Sequence, residues 1–189
     1  MKANYTKMES CIAPSGRSSA TSPLMAGPCL CAPTQIETPS HPQVSLKILN
    51  IGNNPLPSYA TSLSSGFDLI ANLTDDVTIP PGEWRLISSG IKVAIPVGYE
   101  LQIRSRSGLA LKNGISVLNS PATIDADYLG ILGIILMNSS KVDFVVTNGM
   151  RIAQAVLCPV VQASFIACLN DSELGETVRG EGGFGSTGV

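Results

Sequence analysis

The chain has 189 residues, a formal net charge of −2, 44% hydrophobic residues and only 14% charged ones. That is the length of one domain, or one domain with a tail, with enough apolar side chains for a core and no apolar run near the ~20 residues of a membrane-spanning helix. The acidic balance excludes a protein that coats nucleic acid by neutralising phosphates with Lys and Arg, so any nucleotide ligand is expected on the scale of a single nucleotide.

Residues 1–42 carry six of the thirteen prolines and three of the five cysteines, Cys11, Cys29 and Cys31. No apolar period persists there, which predicts a disordered or weakly ordered extension. It lacks the continuous apolar stretch of a signal peptide, and Glu9 and Glu37 offset its few cations, so an organellar transit peptide is a weak reading that stays open. Initiation at Met8 or Met25 is a further alternative. The extension also holds the single histidine, His41. A core without imidazole excludes Ser-His-Asp and Cys-His catalysis and a His-ligated zinc site. Cys158 and Cys168 complete a cysteine set without a C-x-x-C pair, which points to a reducing, cytoplasmic compartment. A general base must then come from a carboxylate, with Lys or Tyr as weaker alternatives.

From Val44 the pattern is β. Val44, Leu46 and Ile48 alternate with their neighbours, as do Tyr99, Leu101 and Ile103, and a period of two marks strands with one buried face. Turn signals fall at Asn53–Pro57, Pro80–Gly82, Pro96–Gly98, Lys112–Gly114 and Thr147–Gly149. Short strands at this spacing predict an all-β sandwich or barrel. Ser107–Lys112 is expected to form one short helical turn. Ile131–Met137 is apolar on both faces, so it is either a central strand or meets another subunit.

Three segments carry candidate chemistry. Arg104–Ala110 places two cations, two hydroxyls and a glycine after a strand, a candidate anion site or equally a solvated turn. Asn119–Tyr128 holds Asp125 and Asp127, which would share a face if extended and could activate water or hold Mg²⁺ through waters. Arg179–Gly188 has five glycines around Phe184. Glycine-rich backbone can approach phosphate oxygens, and an aromatic there suits stacking on a base. It is not a Walker A loop, because no G-K-[ST] occurs.

Taken together, five segments resemble, in order, the motifs of the trimeric dUTP diphosphatase (dUTPase) family: Ser65–Leu69, Arg106–Ala110, Asn119–Tyr128 with Gly130, Gly149–Gln154, and Arg179–Gly188. The resemblance covers about residues 44–189. It implies a small jelly-roll-like (β-clip) domain over 43–189 that assembles as a homotrimer. Each active site would be built from three chains, with a mobile C-terminal arm at about 175–189. It implies hydrolysis of dUTP to dUMP and diphosphate by water attack on the α-phosphorus, limiting dUTP and supplying dUMP for thymidylate synthesis.

By the same resemblance, Asp125 is the base that deprotonates the water. Asn119, with the hairpin that includes Thr123, reads the uracil edge, and Tyr128 packs under the deoxyribose. Arg106, Ser107, Gly108 and Gln154 hold phosphates. Arg179, Gly185, Ser186 and Thr187 bring the arm to the γ-phosphate, and Phe184 stacks over the uracil. Mg²⁺ rides on the triphosphate and waters with no direct protein ligand, and Asp68 is structural or supports the metal shell. No nucleic-acid polymer and no membrane is implied as partner.

The chain departs from the family pattern at Ser105, Ala122, Leu129, Ile131 and Met150, three of which replace charge with apolar side chains. Two other readings compete. A dCTP deaminase or bifunctional relative would need a Glu near the pyrimidine, and none lies between Asn119 and Asp125. A non-catalytic nucleotide-binding regulator on the same scaffold is the other.

Overall fold

The computed structural model describes residues 43–183 and 185. The expected extension (1–42) and Phe184, Ser186 and Thr187 of the arm lie outside the described residues. Ten strands follow in chain order: β1 (Lys47–Asn50), β2 (Phe67–Ile70), β3 (Val77–Ile79), β4 (Trp84–Ala94), β5 (Tyr99–Arg104), β6 (Ile115–Val117), β7 (Ala122–Ile124), β8 (Ile131–Asn138), β9 (Phe144–Val146) and β10 (Arg151–Pro159). One α-helix, α1 (Ser107–Asn113), separates β5 from β6, and a 3₁₀ turn spans Asp171–Leu174. The all-β expectation and the short helical turn both hold.

Two four-stranded sheets, β1-β4-β8-β6 and β2-β10-β5-β7, and the pair β3-β9 are antiparallel throughout. Their inward residues form one cluster. Ile87, Val93, Leu132, Ile134 and Leu136 come from the first sheet, and Leu69, Leu101, Ile103 and Ala155 from the second, all at most 3% exposed. Alternation delivers this directly: in β5, Leu101 and Ile103 turn inward while Gln102 and Arg104 turn outward. β1 begins later than the Val44 alternation suggests, although Leu46 and Ile48 still pack on the core. The four predicted glycine turns at Gly82, Gly98, Gly114 and Gly149 all take positive φ, the conformation that glycine adopts without a Cβ penalty.

Two strands depart from regular pairing. In β10 the register slips between Arg151 and Ala153, so the adjacent Ile152 and Ala153 are both buried. Three residues apart, Arg151 and Gln154 would face opposite sides of a regular strand; the bulge returns both to the outer face. In β4 the register slips between Ser88 and Lys92, around Gly90 at φ 68°. There the buried Ser89 hydroxyl donates to the Leu132 carbonyl at 2.8 Å. Asn138, fully buried at the end of β8, donates to the carbonyls of Ile79 and Val142 and accepts from the Ser140 N–H. Fully satisfied, it ties β8 to the β3 end rather than costing stability.

The Ile131–Met137 run is resolved into two faces. Leu132, Ile134 and Leu136 enter the core, whereas Ile131 and Gly133 are exposed and Ile135 and Met137 only half-buried. On the same outer side, β4 sets Leu86 opposite Ile135 and Trp84 opposite Met137, at 71% and 54% exposure. No other part of the described residues covers this apolar face.

Candidate active site

The first cleft lies where the ends of β2, β10 and β5 meet. The ladder sets Asp68 opposite Gln154 on one side of β10 and Arg104 opposite Gln154 on the other. Directly opposed residues share a face, so these three stand in one row. Asp68, Arg104, Arg106, Ser107, Gly108, Arg151 and Gln154, with the Ser64–Gly66 turn, enclose about 430 Å³. Gly66 is demanded by proximity: a Cβ there would come within 3.0 Å of the Ala155 carbonyl of β10.

The charges are arranged through one carboxylate. Arg106 Nε donates to Asp68 Oδ1 at 2.8 Å and Arg151 Nη1 donates to Asp68 Oδ2 at 3.2 Å. Arg106 Nη1 also donates to the Arg151 carbonyl at 3.1 Å. Both oxygens of Asp68 are thus occupied by guanidinium groups, which suits it to positioning the arginines. Gln154 Nε2 donates to the Ser105 carbonyl at 2.9 Å, fixing the turn into α1. The Ser105 hydroxyl in turn accepts the Val117 N–H at 2.9 Å, and its own backbone N–H reaches Ser120 Oγ at 3.4 Å. A proline at this position could not make that last bond. α1 is capped at its C-terminal end by Gly114, whose N–H reaches the Ala110 and Leu109 carbonyls.

The second cleft, of about 330 Å³, is formed by the β7 hairpin against β8 and β4. Asn119, Thr123, Asp125 and Tyr128 line it beside Leu86, Ile131 and Ile135. The chain turns at Asp125, where the Tyr128 N–H returns to the Asp125 carbonyl at 3.1 Å. Asp125 and Asp127 therefore do not lie along one extended strand, and of the two only Asp125 lines the cleft. The Tyr128 hydroxyl donates to the Ile131 carbonyl at 3.0 Å. Its ring lies over Gly130, where an added Cβ would run into the phenol.

The two clefts share no residue. Of the predicted set, Arg106, Ser107, Gly108 and Gln154 meet in the first, and Asn119, Thr123, Asp125 and Tyr128 in the second. Arg179 lines neither and is folded onto its own turn, donating to the Gly182 carbonyl at 2.6 Å. Arg104 belongs to the candidate anion segment Arg104–Ala110, although the family resemblance assigns it no phosphate. Arg151 was missed as a cleft residue; the β10 bulge that brings it outward leaves no composition signal. Among the described residues no group of three or more His, Cys, Asp or Glu side chains is placed to cage a metal ion.

The dUTPase family model matches residues 52–188. The chain belongs to the dUTPase family. The deoxyuridine 5'-triphosphate nucleotidohydrolase of Roseobacter denitrificans is 57% identical over 135 residues, 71% of this chain and 87% of that protein. The Chlamydia pneumoniae protein of the same name is 54% identical over 134 residues, 71% and 91% of the two chains. Among solved structures, the Staphylococcus bacteriophage 80alpha dUTPase with dUPNHPP superposes with a TM-score of 0.69 at 24% identity, covering 78% of this chain and all of that one. A phage phi11 dUTPase variant, described as coordinating a structural Mg(II) ion, superposes at 0.61 with 21% identity, over 68% and 99% of the chains. These structural likenesses establish the shared fold. The departures from the family pattern also find places: Met150 and Ala122 pack against the core, while Leu129 and Ile131 stand exposed, Ile131 in the wall of the second cleft.

Proposed function

We propose that this chain hydrolyses dUTP to dUMP and diphosphate, with a water activated by Asp125 attacking the α-phosphorus. The observation that carries the reading is the pairing of a guanidinium-lined cleft suited to polyphosphate with a hairpin cleft holding Asn119, Asp125 and Tyr128. Charge-assisted donors such as Arg106 bind phosphate oxygens, and the Asp125 carboxylate, which lines the second cleft, is the group placed there to take a proton from water. The Tyr128 ring, held by its hydroxyl and by Gly130, offers a flat apolar support for a deoxyribose. The relatives of known name support this substrate over a dCTP deaminase or a regulator.

The divided site supports a homotrimer in which the hairpin cleft of one chain faces the arginine cleft of another. The bare β4–β8 face gives such an assembly apolar surface to bury. The segment after β10 adds to it, since Phe165, Ile166 and Leu169 are 86–95% exposed. Arg179, Phe184, Gly185, Ser186 and Thr187 would then close over the triphosphate from a neighbouring chain. Mg²⁺ would ride on the triphosphate with water ligands, and there it would supply charge neutralisation of the phosphate oxygens. The free thiols of Cys158 and Cys168 support a reducing, cytoplasmic setting, and no helix among the described residues is long and apolar enough to cross a membrane. Residues 1–42 are read as dispensable for folding and turnover.

Diphosphate release from dUTP with Mg²⁺ tests the proposal directly. Asp125→Asn should keep binding of a non-hydrolysable triphosphate while kcat falls by about 10²–10⁴, the contribution of a general base. Near-normal kcat in that variant would remove Asp125 from the mechanism, and ammonia release from dCTP would favour the deaminase.

A further inference from the structure

Three guanidinium groups line the first cleft, and they are not equivalent. Arg106 and Arg151 both direct their charge at Asp68. Arg104 meets no carboxylate within ion-pair distance among the described residues. Its Nε and Nη2 both donate to the amide oxygen of Gln102, at 3.1 and 2.6 Å, and Nη2 also points at Cys158 Sγ at 3.8 Å. Gln102 is fixed in turn by donating to Glu100 Oε1 at 2.6 Å. Arg104 is therefore held in place by a neutral acceptor, with the Glu100 carboxylate one amide away and no direct ion pair among the described residues. Nη1 has no partner among the described residues, and a guanidinium carries five N–H donors in a fixed fork. The β5–β10 register sets the Arg104 backbone opposite Gln154, in the row that begins at Asp68, and its side chain runs back along β5 to Gln102 and Cys158 while still lining the cleft.

We propose that Arg104 is a specificity-determining residue for polyphosphate, offering the diphosphate that will leave the one cleft guanidinium that has no direct carboxylate partner among the described residues. It lies two residues before the Arg106–Ala110 segment and outside it. The inference deepens the dUTP reading and rests on it only for the nucleoside; the anion recognised is a chain of phosphates. The arrangement separates two duties. Asp68 holds Arg106 and Arg151 in a fixed geometry toward the phosphates, and Arg104 adds attraction that grows with the number of phosphates. A monophosphate, with fewer oxyanions to reach this far along the row, would gain little from it.

The test measures binding of three probes to the full-length protein: the imido analogue of dUTP, dUMP and inorganic tripolyphosphate. In Arg104→Gln the triphosphate analogue and tripolyphosphate should each bind about tenfold or more weakly, the scale of one charge-assisted hydrogen bond. dUMP should change by less than about twofold, and KM for dUTP should rise more than kcat falls. Arg104→Lys should recover part of the loss. Gln102→Leu, which keeps the charge but frees it, should fall between. Circular dichroism and molar mass should match wild type. Unchanged affinity for both polyphosphates in Arg104→Gln would overturn the proposal. So would an equal loss for dUMP, which would mark Arg104 as merely structural. If wild type fails to turn over dUTP while Arg104→Gln still weakens tripolyphosphate, the dUTP reading fails and the assignment of Arg104 stands.

Discussion

Asp68 holds two arginines with two different oxygens, and this allows its contributions to be taken apart. Asp68→Asn keeps the volume and one carbonyl oxygen. Oriented toward Arg106 Nε, that oxygen preserves the 2.8 Å contact, while the new NH₂ meets Arg151 Nη1 donor to donor. The Arg151 side chain is 61% exposed, so losing this pair is expected to cost about 0.5 kcal/mol. Asp68→Ala also strips the acceptor from Arg106, a pair only 25% and 28% exposed, and the total is expected to reach about 2 kcal/mol. The catalytic effects should separate in the same order. Arg106 freed from Asp68 wanders on the scale of an ångström, which can cost about 10²-fold in rate. Asp68→Asn should thus lose about tenfold in kcat/KM and Asp68→Ala about 100-fold. Urea denaturation at fixed protomer concentration and steady-state dUTP hydrolysis read the two quantities. Wild-type kcat/KM in Asp68→Ala would refute the positioning role, and equal damage by both variants would refute the division between the two oxygens.

Leu86→Glu places a charge on the bare β4–β8 face opposite Ile135; it should yield a folded monomer near 19.7 kDa by light scattering and abolish turnover, with Trp84 emission shifted to the red relative to the wild-type assembly. A wild-type protein that is itself monomeric at micromolar concentration would sink the shared-site reading. Gly130→Ala should displace the Tyr128 ring, lowering kcat/KM for dUTP and narrowing its preference over UTP by about tenfold, one decade per ~1.4 kcal/mol. Trypsin should cut after Arg179 more slowly when the triphosphate analogue and Mg²⁺ are present, and equal rates with and without them would rule out a closing arm.

Much of the architecture was legible because period-two alternation is dictated by backbone geometry. Tyr99–Arg104 reads as a strand with Leu101 and Ile103 inward, and so it folds. Glycine turns were legible for a similar reason, since positive φ selects residue type at Gly82, Gly98, Gly114 and Gly149. What alternation hides is where it breaks. The β10 bulge buries Ile152 and Ala153 together, and no residue type there announces it. Arg151 consequently enters the cleft unannounced. The turn at Asp125 likewise decides between two carboxylates that look equivalent along the chain. Arg104 was visible as a cation but not as the cleft arginine without a direct ion pair among the described residues, because pairing depends on the fold that brings Asp68 to Arg106 and Arg151.

The two faces of the Ile131–Met137 strand link the fold to the site. Its inner residues fill the core, and its outer residues Ile131 and Ile135, with Leu86 across the ladder, belong both to the uncovered face and to the cleft that holds Asp125. A partner seated on that face would therefore form part of the wall of the Asp125 cleft. Leu129 and Ile131, which stand where the family commonly carries charge, lie at this edge and are 63% and 40% exposed. Placed against a second apolar surface, such side chains would gain by leaving water, whereas charged ones would need partners across the junction. In an assembly built on this face, the replacement would exchange polar registration between chains for a drier contact. The chemical groups themselves are retained: Arg106 is held by Asp68, Gln154 by the Ser105 carbonyl, and the Asp125 backbone by the turn to Tyr128. The assembly should accordingly resist salt, which screens ion pairs but not apolar burial, and its mass should hold steady as ionic strength rises from ~0.01 M to ~1 M. Dissociation at high salt would show that charge, not this face, holds the chains together.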